Sequence, residues 1–478
     1  VADDEGFHIY LVKSPAPAKE IYRQTEKLQV KAMSADERFL LVRSSRGNDW
    51  YRPELWVMDL SGQILARISE VQGVSGVWAD AGAWAPKAGD YRIIVLHEAT
   101  GFAQPAIWYP FEDRLEFKSV DLLGEFGQTA AQFGGVTWDR RGEKLLLRRS
   151  FNGRSDLHRM DLATGAIESL QPGDGSILNL DNDDENRAVG VWAGNHAYAQ
   201  RFCENDRLPN DPFKPSRPLH RWHFRRIAGV PCFVAGESRS DGPNWTFFCV
   251  YGMPGHHIFD GYDPGVVSLL DHGIQVVSVN TRGCSGFGRA WREGSRGKFG
   301  AIEITDVERV RAQLITEGTV DARRTIIGGH SYGGYMTLLA MGKQPSLWAM
   351  GVAGAPVGDY AHAYLEASPL IIAVNRGMFG GSVHTHEEAY RKISPLTYVD
   401  QVVAPIHISA GKADLLCPPQ QILNFVDALR ARGGTCELEW FKGGHGPADQ
   451  EASVAWQTGR LDFVLRHCHA HDRAESQL

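Results

Sequence analysis

The sequence predicts two domains of different class, an all-β propeller followed by an α/β domain with a doubly wound, mostly parallel sheet. Over residues 1–215 the pattern is all-β and repeats a unit of about 50 residues. Over residues 216–470 apolar strands alternate with amphipathic helices, which is typical of a doubly wound sheet. The 478 residues, 43% of them apolar, suffice for two or three domains. Residues 471–478 are expected to form a tail.

Composition and charge exclude several classes of protein. The apolar content is too high for a disordered chain, and no apolar run reaches the ~18–20 residues of a membrane span. A net charge of −7 without a basic stripe argues against nucleic acid as a partner. We therefore expect neither a nucleic-acid nor a membrane partner, and the sequence leaves open whether the chain forms a homo-oligomer.

Cysteine usage indicates the compartment. The seven cysteines are an odd number without a Cys-x-x-Cys pair, which predicts no disulfide framework and a reducing, cytoplasmic environment. The opening Val-Ala-Asp-Asp-Glu has neither the basic nor the apolar region of a secretory signal. Because it lacks Met, the sequence leaves open whether an upstream segment precedes it.

The N-terminal repeat consists of a polar turn, an apolar strand and a second strand that ends in Asp-Leu before a Gly turn. Two such turns begin at Asp59 and Asp161, with an intermediate repeat at 90–96 and a weaker one at 186–192. A β-unit of about 40–50 residues is typical of a propeller blade, and a β-solenoid or sandwich is the alternative. We assign the aromatic side chains of these repeats to packing between blades: Trp50, Trp56, Trp78, Trp84, Trp108 and Trp138.

The α/β domain is predicted to follow a polar, Pro-rich linker at residues 204–218. Its apolar runs are typical of buried parallel strands. These strands are predicted at residues 246–251, 274–279, 325–328, 406–409 and 437–441. Thr305-Asp-Val-Glu308 has the pattern of a capping box, so we expect a helix to begin there.

Gly329-His-Ser-Tyr-Gly-Gly334 is a G-x-S-x-G motif between a predicted strand and a predicted helix. A nucleophilic serine needs this junction, because a tight turn requires neighbours without side chains. The N-terminus of the helix offers N–H groups and a favourable dipole to a developing oxyanion. The motif therefore predicts that Ser331 is a nucleophile.

Two further residues lie where such a nucleophile needs partners. Asp414 follows the strand at 406–409, and His445 follows the strand at 437–441. Both lie at the carboxyl ends of strands, the edge where open α/β sheets form their sites, and the order Ser, Asp, His is typical of such hydrolases. We predict that His445 takes the proton of Ser331 and that Asp414 orients His445.

These residues together resemble the prolyl oligopeptidase family of serine peptidases. The resemblance rests on the motif at 329–335, on Asn280-Thr-Arg-Gly-Cys-Ser-Gly-Phe-Gly288, on Asp414 and on Gly-His-Gly at 444–446. It is close over residues 216–470 and architectural in the N-terminal part. It implies a β-propeller followed by an α/β-hydrolase domain.

The resemblance also implies roles for four residues. Tyr251 would complete the oxyanion hole with the N–H of Tyr332, and the alternative is that Tyr251 is a core aromatic. Val357 and Tyr360 lie where the family lines its primary specificity pocket, and Tyr332 borders the same pocket. An apolar, aromatic pocket suits Pro or another apolar residue before the scissile bond.

The sequence departs from the family at two places. Two residues after the catalytic Asp the family often has Arg or Asn, which grips a substrate carbonyl, whereas this chain has Leu416. Residues 1–215 lack the Glu-Glu pair of dipeptidyl peptidases, to which Asp49-Trp50 bears only a faint likeness. A dipeptidyl peptidase is therefore disfavoured.

We expect a serine peptidase that hydrolyses short peptides through a Ser-Asp-His triad and an acyl-enzyme, without a cofactor. The alternative is an esterase, amidase or acyl-transfer enzyme acting on an acylated small molecule, and a third reading is an interaction module with an inactive hydrolase domain. The His-rich runs at 384–388 and 467–471 lack ligand spacing, and Cys417 is expected to be a buried apolar cysteine, so no metal is predicted.

The N-terminal part is short for this family. At about 45–51 residues per blade, residues 1–215 hold four to five blades, whereas the family usually closes seven or eight. We therefore expect either an unusually small propeller or a chain without its N-terminal blades.

Overall fold

The computed structural model describes residues 2–3, 6–12, 17–45, 52–75, 77–118, 132–170, 175–193, 200–205, 222–236, 244–251 and 257–475. The chain divides into two compact units. The first contains Val1–Arg217, Phe259–Tyr262 and Ser285–Glu293, and the second contains Pro218–Ile258, Asp263–Cys284 and Gly294–Leu478. Two short segments of the second half thus belong to the first unit, and most of the predicted linker lies outside the described residues.

The first unit consists of antiparallel sheets whose strands are consecutive in the chain, as in propeller blades. Among the described residues, three sheets have four strands: Leu28–Met33, Phe39–Ser44, Glu54–Asp59 and Ile64–Ile68; Val77–Trp84, Ile93–His97, Gln104–Tyr109 and Arg114–Phe117; and Gln132–Trp138, Lys144–Phe151, Arg154–Asp161 and Ile167–Ser169. Two have three strands: Ala2–Asp3, Gly6–Leu11 and Lys19–Gln24; and Ser176–Asn182, Ala188–Ala193 and Gln200–Cys203. A ribbon pairs Glu70–Val71 with Val74–Ser75. The predicted propeller-like architecture is confirmed.

Apolar clusters join each sheet of the first unit to the next. The strand Lys144–Phe151 shows how, because successive residues of a strand point to opposite faces. Leu145 packs with Leu96 of the preceding sheet, and its neighbour Leu146 packs with Ile177 of the following sheet. Both faces of such a sheet are therefore buried, as stacked blades require.

The tryptophans of the repeats lie in these clusters. Trp56, Trp84, Trp108 and Trp138 are all buried between sheets, which confirms their assignment to blade packing. Trp50 and the side chain of Trp78 lie outside the described residues.

The repeated Asp-Leu turns have a common physical cause. Oδ1 of Asp59 accepts hydrogen bonds from the N–H groups of Ser61 and Gln63, and Oδ1 of Asp161 accepts from those of Ala163 and Thr164. Each aspartate thus replaces backbone partners inside the turn, which is why the same residue type recurs there.

Within the described residues, the second unit is built on an eight-stranded sheet. Its strands are β1 His223–Ile227, β2 Val230–Ala235, β3 Thr246–Val250, β4 Gln275–Val279, β5 Thr325–His330, β6 Met350–Gly354, β7 Ile406–Gly411 and β8 Cys436–Phe441. They lie in the order β1-β2-β4-β3-β5-β6-β7-β8. The β1–β2 and β2–β4 pairs are antiparallel and all others are parallel, so the predicted mostly parallel sheet is confirmed.

Helices cover the sheet on both faces. The helices of this half of the chain are α1 Pro264–Asp271, α2 Arg289–Arg292, α3 Ala301–Thr316, α4 Tyr332–Lys343, α5 Tyr360–Glu366, α6 Pro369–Phe379, α7 Glu387–Ile393, α8 Pro419–Ala431 and α9 Gln450–Glu475, with 3₁₀ turns at Glu293–Ser295 and Pro395–Gln401. Helix α2 belongs to the first unit, and the other helices belong to the second. Helices α1 and α9 pack on one face, where Leu269 and Phe463 contact Val276 and Val352. Helix α4 covers the other face, where Gly351 lies against its side chains. None of the helices in the described part of the chain has both the length and the apolar character needed to cross a membrane.

Two expectations about helix ends are wrong. Helix α3 begins at Ala301 rather than at the predicted capping box, and the hydroxyl of Thr305 donates to the carbonyl of Ala301 inside the helix. Helix α9 continues through Glu475, so the tail predicted from residue 471 begins within a helix. In both places the helix is longer than its local signals indicated, because tertiary packing outweighs local end preferences.

Candidate active site

Ser331 occupies a strained turn between β5 and α4. Its φ of 58° and ψ of −120° lie outside the regions that L-residues normally adopt. The Ser331 N–H donates to the carbonyl of Gly354 at 2.8 Å, so β6 holds the turn in place. Strain concentrated at one partly buried serine is typical of a nucleophile elbow.

The glycines of the motif are required by the backbones around them. A Cβ at Gly329 or at Gly333 would overlap the carbonyl oxygen of Val250 in β3. The third glycine has its own reason, since a Cβ at Gly334 would overlap the carbonyl oxygen of Gly354 in β6. All three glycines of the Gly-His-Ser-Tyr-Gly-Gly run are therefore explained by close approach to the two neighbouring strands.

The structure brings the three residues predicted to act together into one hydrogen-bonded chain. Nε2 of His445 lies 2.8 Å from Oγ of Ser331, and Nδ1 lies 2.8 Å from Oδ2 of Asp414. Asp414 is 2% exposed, whereas the side chain of His445 is 24% exposed. A buried carboxylate thus holds a partly accessible imidazole against the serine.

The carboxylate of Asp414 is itself fixed by the loop that carries it. Its Oδ1 accepts the backbone N–H groups of Leu416 at 2.8 Å and of Cys417 at 2.9 Å. Oδ2 is left to accept from Nδ1–H of His445, which sets the tautomer with a free lone pair on Nε2. In this tautomer Nε2 can accept the proton of Ser331.

A second histidine, His330, supports the first. Its Nε2–H donates to the backbone carbonyl of His445 at 3.0 Å, and the two rings lie 5.1 Å apart. Burial lowers the pKa of His330 to about 4, so it stays neutral over the physiological range. The sequence did not predict a supporting role for His330, which occupies a variable position of the G-x-S-x-G motif. The signal that could have indicated such a role was its position next to Ser331.

Tyr251 and Tyr332 flank the nucleophile. Tyr251 follows Val250, which pairs with Gly329 across β3 and β5, and 41% of its surface is exposed. It is therefore not a core aromatic. Tyr332 is the first residue of α4, and the first N–H groups of a helix have no acceptor within it.

Two of the side chains predicted to line the specificity pocket, Tyr332 and Tyr360, belong to a buried aromatic cluster. Tyr360 packs edge-on against Tyr335 at 4.8 Å and against Phe379 at 5.4 Å. Tyr360 and Val357 are 5% and 9% exposed. The surroundings are thus apolar, and little of either side chain reaches the surface of the second unit.

A buried acid, Glu303, lies behind Tyr332. The Tyr332 hydroxyl donates to its Oε1 at 2.9 Å, and burial raises the pKa of Glu303 to about 8. Sequence reasoning missed this residue, because an acid in an amphipathic helix ordinarily faces water.

The loop after Asp414 presents apolar side chains. Leu415 is 77% exposed and Leu416 is 43% exposed, so the position where the family often has a cationic or amide donor carries an exposed apolar group. The His-rich runs at 384–388 and 467–471 form no group of three possible metal ligands within the described ranges.

Tyr335 lies in the core of the second unit, where its hydroxyl has no hydrogen-bond partner in the described part of the chain.

Comparison with known proteins places this site in a family. The sequence profile of the prolyl oligopeptidase family matches residues 262–471, which include Ser331, Asp414 and His445. Residues 262–471 are a prolyl oligopeptidase family domain. The recognition made from the motifs is confirmed over this part of the chain.

Similar proteins extend the likeness beyond the domain. Acylamino-acid-releasing enzyme of Mus musculus is 30% identical over 327 residues, 62% of this chain and 44% of the relative. Acylamino-acid-releasing enzyme 2 of Oryza sativa is 27% identical over 217 residues, 44% of this chain and 28% of the relative. The chain thus spans less than half the length of these two relatives.

A solved puromycin-hydrolyzing peptidase of Mycobacterium tuberculosis has a similar fold. It superimposes with a TM-score of 0.76 at 20% sequence identity, covering 94% of this chain and 72% of that structure. The match includes both units and supports the combination of propeller-like and α/β regions.

Proposed function

We propose that the protein is a serine peptidase that hydrolyses short peptides through an acyl-enzyme. The observation that carries the proposal is the hydrogen-bonded chain from Asp414 through His445 to Ser331 at a strained elbow. Such a chain transfers the serine proton to imidazole as the oxygen attacks a carbonyl carbon. The names of the relatives, acylamino-acid-releasing enzyme and puromycin-hydrolyzing peptidase, support a hydrolase for small substrates.

In the proposed reaction, the atoms of the hydrogen-bonded chain have the following roles. Oγ of Ser331 attacks the substrate carbonyl while Nε2 of His445 takes its proton, and Asp414 stabilises the imidazolium. The N–H of Tyr332 and the hydroxyl of Tyr251 would hold the oxyanion. His445 then gives the proton to the leaving amine, and water hydrolyses the acyl-enzyme by the same steps.

We infer that Val357, Tyr360 and Tyr332 shape the pocket for the residue before the scissile bond. Their surroundings are apolar and aromatic, which favours Pro or another apolar side chain over a charged one, because a buried charge there would lose its hydration.

A specific observation favours a second candidate function. Leu416 offers no hydrogen-bond donor from its side chain, so a peptide would lack the carbonyl contact that the family often provides. An ester, an amide or another acylated small molecule does not need that contact. The alternative is therefore an esterase, amidase or acyl-transfer enzyme that uses the same three residues.

A substrate panel separates the two. We expect chromogenic peptides with Pro, Ala or Phe before the leaving group to be cleaved with higher kcat/KM than a matched Lys peptide, and Ser331→Ala to abolish turnover. Turnover of p-nitrophenyl esters with no peptide cleaved would favour the alternative. In that case Leu416→Arg, which restores a donor, should create peptide cleavage.

We base our proposals for the protein's cellular compartment and binding partners on its cysteines and its net charge. The seven cysteines, all of which lie in the described part of the chain, form no disulfide, which supports a reducing, cytoplasmic environment. The net charge of −7 argues against nucleic acid as a partner, and the substrate is expected to be the principal ligand.

A further inference from the structure

One thiol lies beside the proposed catalytic residues. The Sγ of Cys417, a carboxylate oxygen of Asp414 and a ring nitrogen of His445 all lie within 4.8 Å of one another. Cys417 is 5% exposed, and its N–H donates to Asp414, so the loop fixes its position relative to that carboxylate. Across the described residues, this is the one group of three side chains able to ligate a metal ion.

We propose that this trio is an inhibitory binding site for a zinc ion, with Cys417, Asp414 and His445 as its ligands. The ion would be a reversible inhibitor from solution rather than a resident cofactor. Only its effect on turnover rests on the proposed function; binding itself does not.

The donor set selects the class of metal. Thiolate, imidazole and carboxylate are the ligands that zinc prefers, whereas magnesium and calcium prefer oxygen ligands alone. Zinc bonds of about 2.0–2.3 Å in a tetrahedral arrangement place ligand atoms about 3.5 Å apart. The three donors lie within 4.8 Å of one another, and Nδ1 of His445 lies 2.8 Å from Oδ2 of Asp414, so each separation has to change by only about 1 Å to reach this spacing. Water can supply the fourth position.

The charges also balance. On binding, the thiol of Cys417 releases its proton to solvent, and the thiolate and the carboxylate of Asp414 together offset the two positive charges of the ion. The occupied site, which is nearly buried, therefore carries no net charge. A buried site with this balance avoids the cost of an uncompensated ion.

Binding would stop the reaction whichever nitrogen of His445 is used. A neutral imidazole has one basic lone pair, and the other nitrogen carries a hydrogen. If zinc takes Nε2, Ser331 loses its proton acceptor directly. If zinc takes Nδ1, the hydrogen moves to Nε2, and again no lone pair faces Ser331.

The first test is binding of Co²⁺ as a spectroscopic substitute for zinc. The wild-type protein should develop a thiolate-to-cobalt charge-transfer absorption at one equivalent of metal, and added Zn²⁺ should abolish it. Cys417→Ser and Cys417→Ala should lack this absorption, whereas Cys203→Ser, which alters a half-buried thiol of the first unit, should retain it. Thermal unfolding of each variant shows that it is folded.

The second test is inhibition of turnover. Zn²⁺ should inhibit the wild-type enzyme, a chelator should restore it, and Mg²⁺ should have no effect. Relative to each protein's own activity in chelator, Cys417→Ser and Cys417→Ala should need at least about tenfold more Zn²⁺ for half-inhibition. Equal sensitivity of wild type and both Cys417 variants, or absence of the cobalt band from wild type, would overturn the site. If the wild-type protein turns over no substrate, the cobalt spectrum still shows whether the metal site exists. Failure of the proposed function can therefore be distinguished from failure of the proposed metal site.

Discussion

Single residues at the elbow show why the motif has its composition. Ser331 holds a positive φ because the hydrogen bond to Gly354 and the start of α4 impose it. The flanking glycines lie against carbonyl oxygens of β3 and β6, so side chains are excluded on both sides. The nucleophile could be predicted from the sequence because these constraints act on neighbouring residues and therefore produce a recognisable spacing of glycines around Ser331.

We expect Gly334→Ala to destabilise the protein by about 1–3 kcal/mol, because its methyl group would overlap the Gly354 carbonyl. Urea unfolding measures this. Gly446→Ala is the matched control, since a Cβ at Gly446 meets no atom within 4 Å. Equal stability of wild type and Gly334→Ala would show that the elbow is not closely packed.

Glu303 makes stability depend on pH. Its folded pKa is raised by burial from 4.5 to about 8, so the folded state binds a proton more tightly than the unfolded state. The stability that protonated Glu303 contributes is complete below about pH 4.5 and is lost as pH rises through about 8. The wild-type Tm should therefore fall over this window relative to that of Glu303→Gln, which cannot titrate there. Parallel Tm curves for the two proteins between about pH 5 and about pH 9 would refute this.

The roles of His330 and Glu303 were not predicted from the sequence, and there is a physical reason for this. One bonds a backbone carbonyl and the other a tyrosine hydroxyl, and both partners are remote in sequence. Such contacts arise from the fold rather than from local pattern. By contrast, Asp414 and His445 were predictable because each follows an apolar strand at its carboxyl end.

At the level of elements, α3 shows how tertiary contacts override local signals. The predicted capping box lies inside the helix, and Asp306 within that same segment is fully buried instead. Its carboxylate accepts the backbone N–H of Arg282 at 2.9 Å and Nη2 of Arg282 at 2.6 Å. An aspartate that resembles a helix-start residue thus anchors the loop that follows β4.

Removing this anchor should cost far more than removing a surface ion pair. We expect Asp306→Ala to lower the free energy of unfolding by about 3–5 kcal/mol, because it leaves Arg282 without its buried partner. Glu388→Ala breaks the exposed pair with Arg391 and should lower the free energy of unfolding far less than Asp306→Ala does, because solvent screens the pair. Chemical denaturation of both variants checks the contrast, and similar losses would contradict the anchoring role.

For the whole molecule, strand and helix periodicity were enough to predict both fold classes. The repeat of about 50 residues identified the blades because each one buries both faces against its neighbours. The two segments of the second half that belong to the first unit, Phe259–Tyr262 and Ser285–Glu293, were not predictable. Both segments are short, and the strands and helices on either side of them have the sequence patterns of the α/β domain. The sequence therefore gives no sign that these two segments belong to the first unit.

The central claim for the molecule is that Ser331 is a nucleophile activated by His445 and Asp414. Labelling with a fluorophosphonate, followed by mass spectrometry of the digested protein, tests it most directly. We predict a single adduct on Ser331, its loss in Ser331→Ala, and slow labelling in His445→Ala. An unlabelled wild-type protein, or a Ser331→Ala protein labelled as fast as wild type, would contradict the claim.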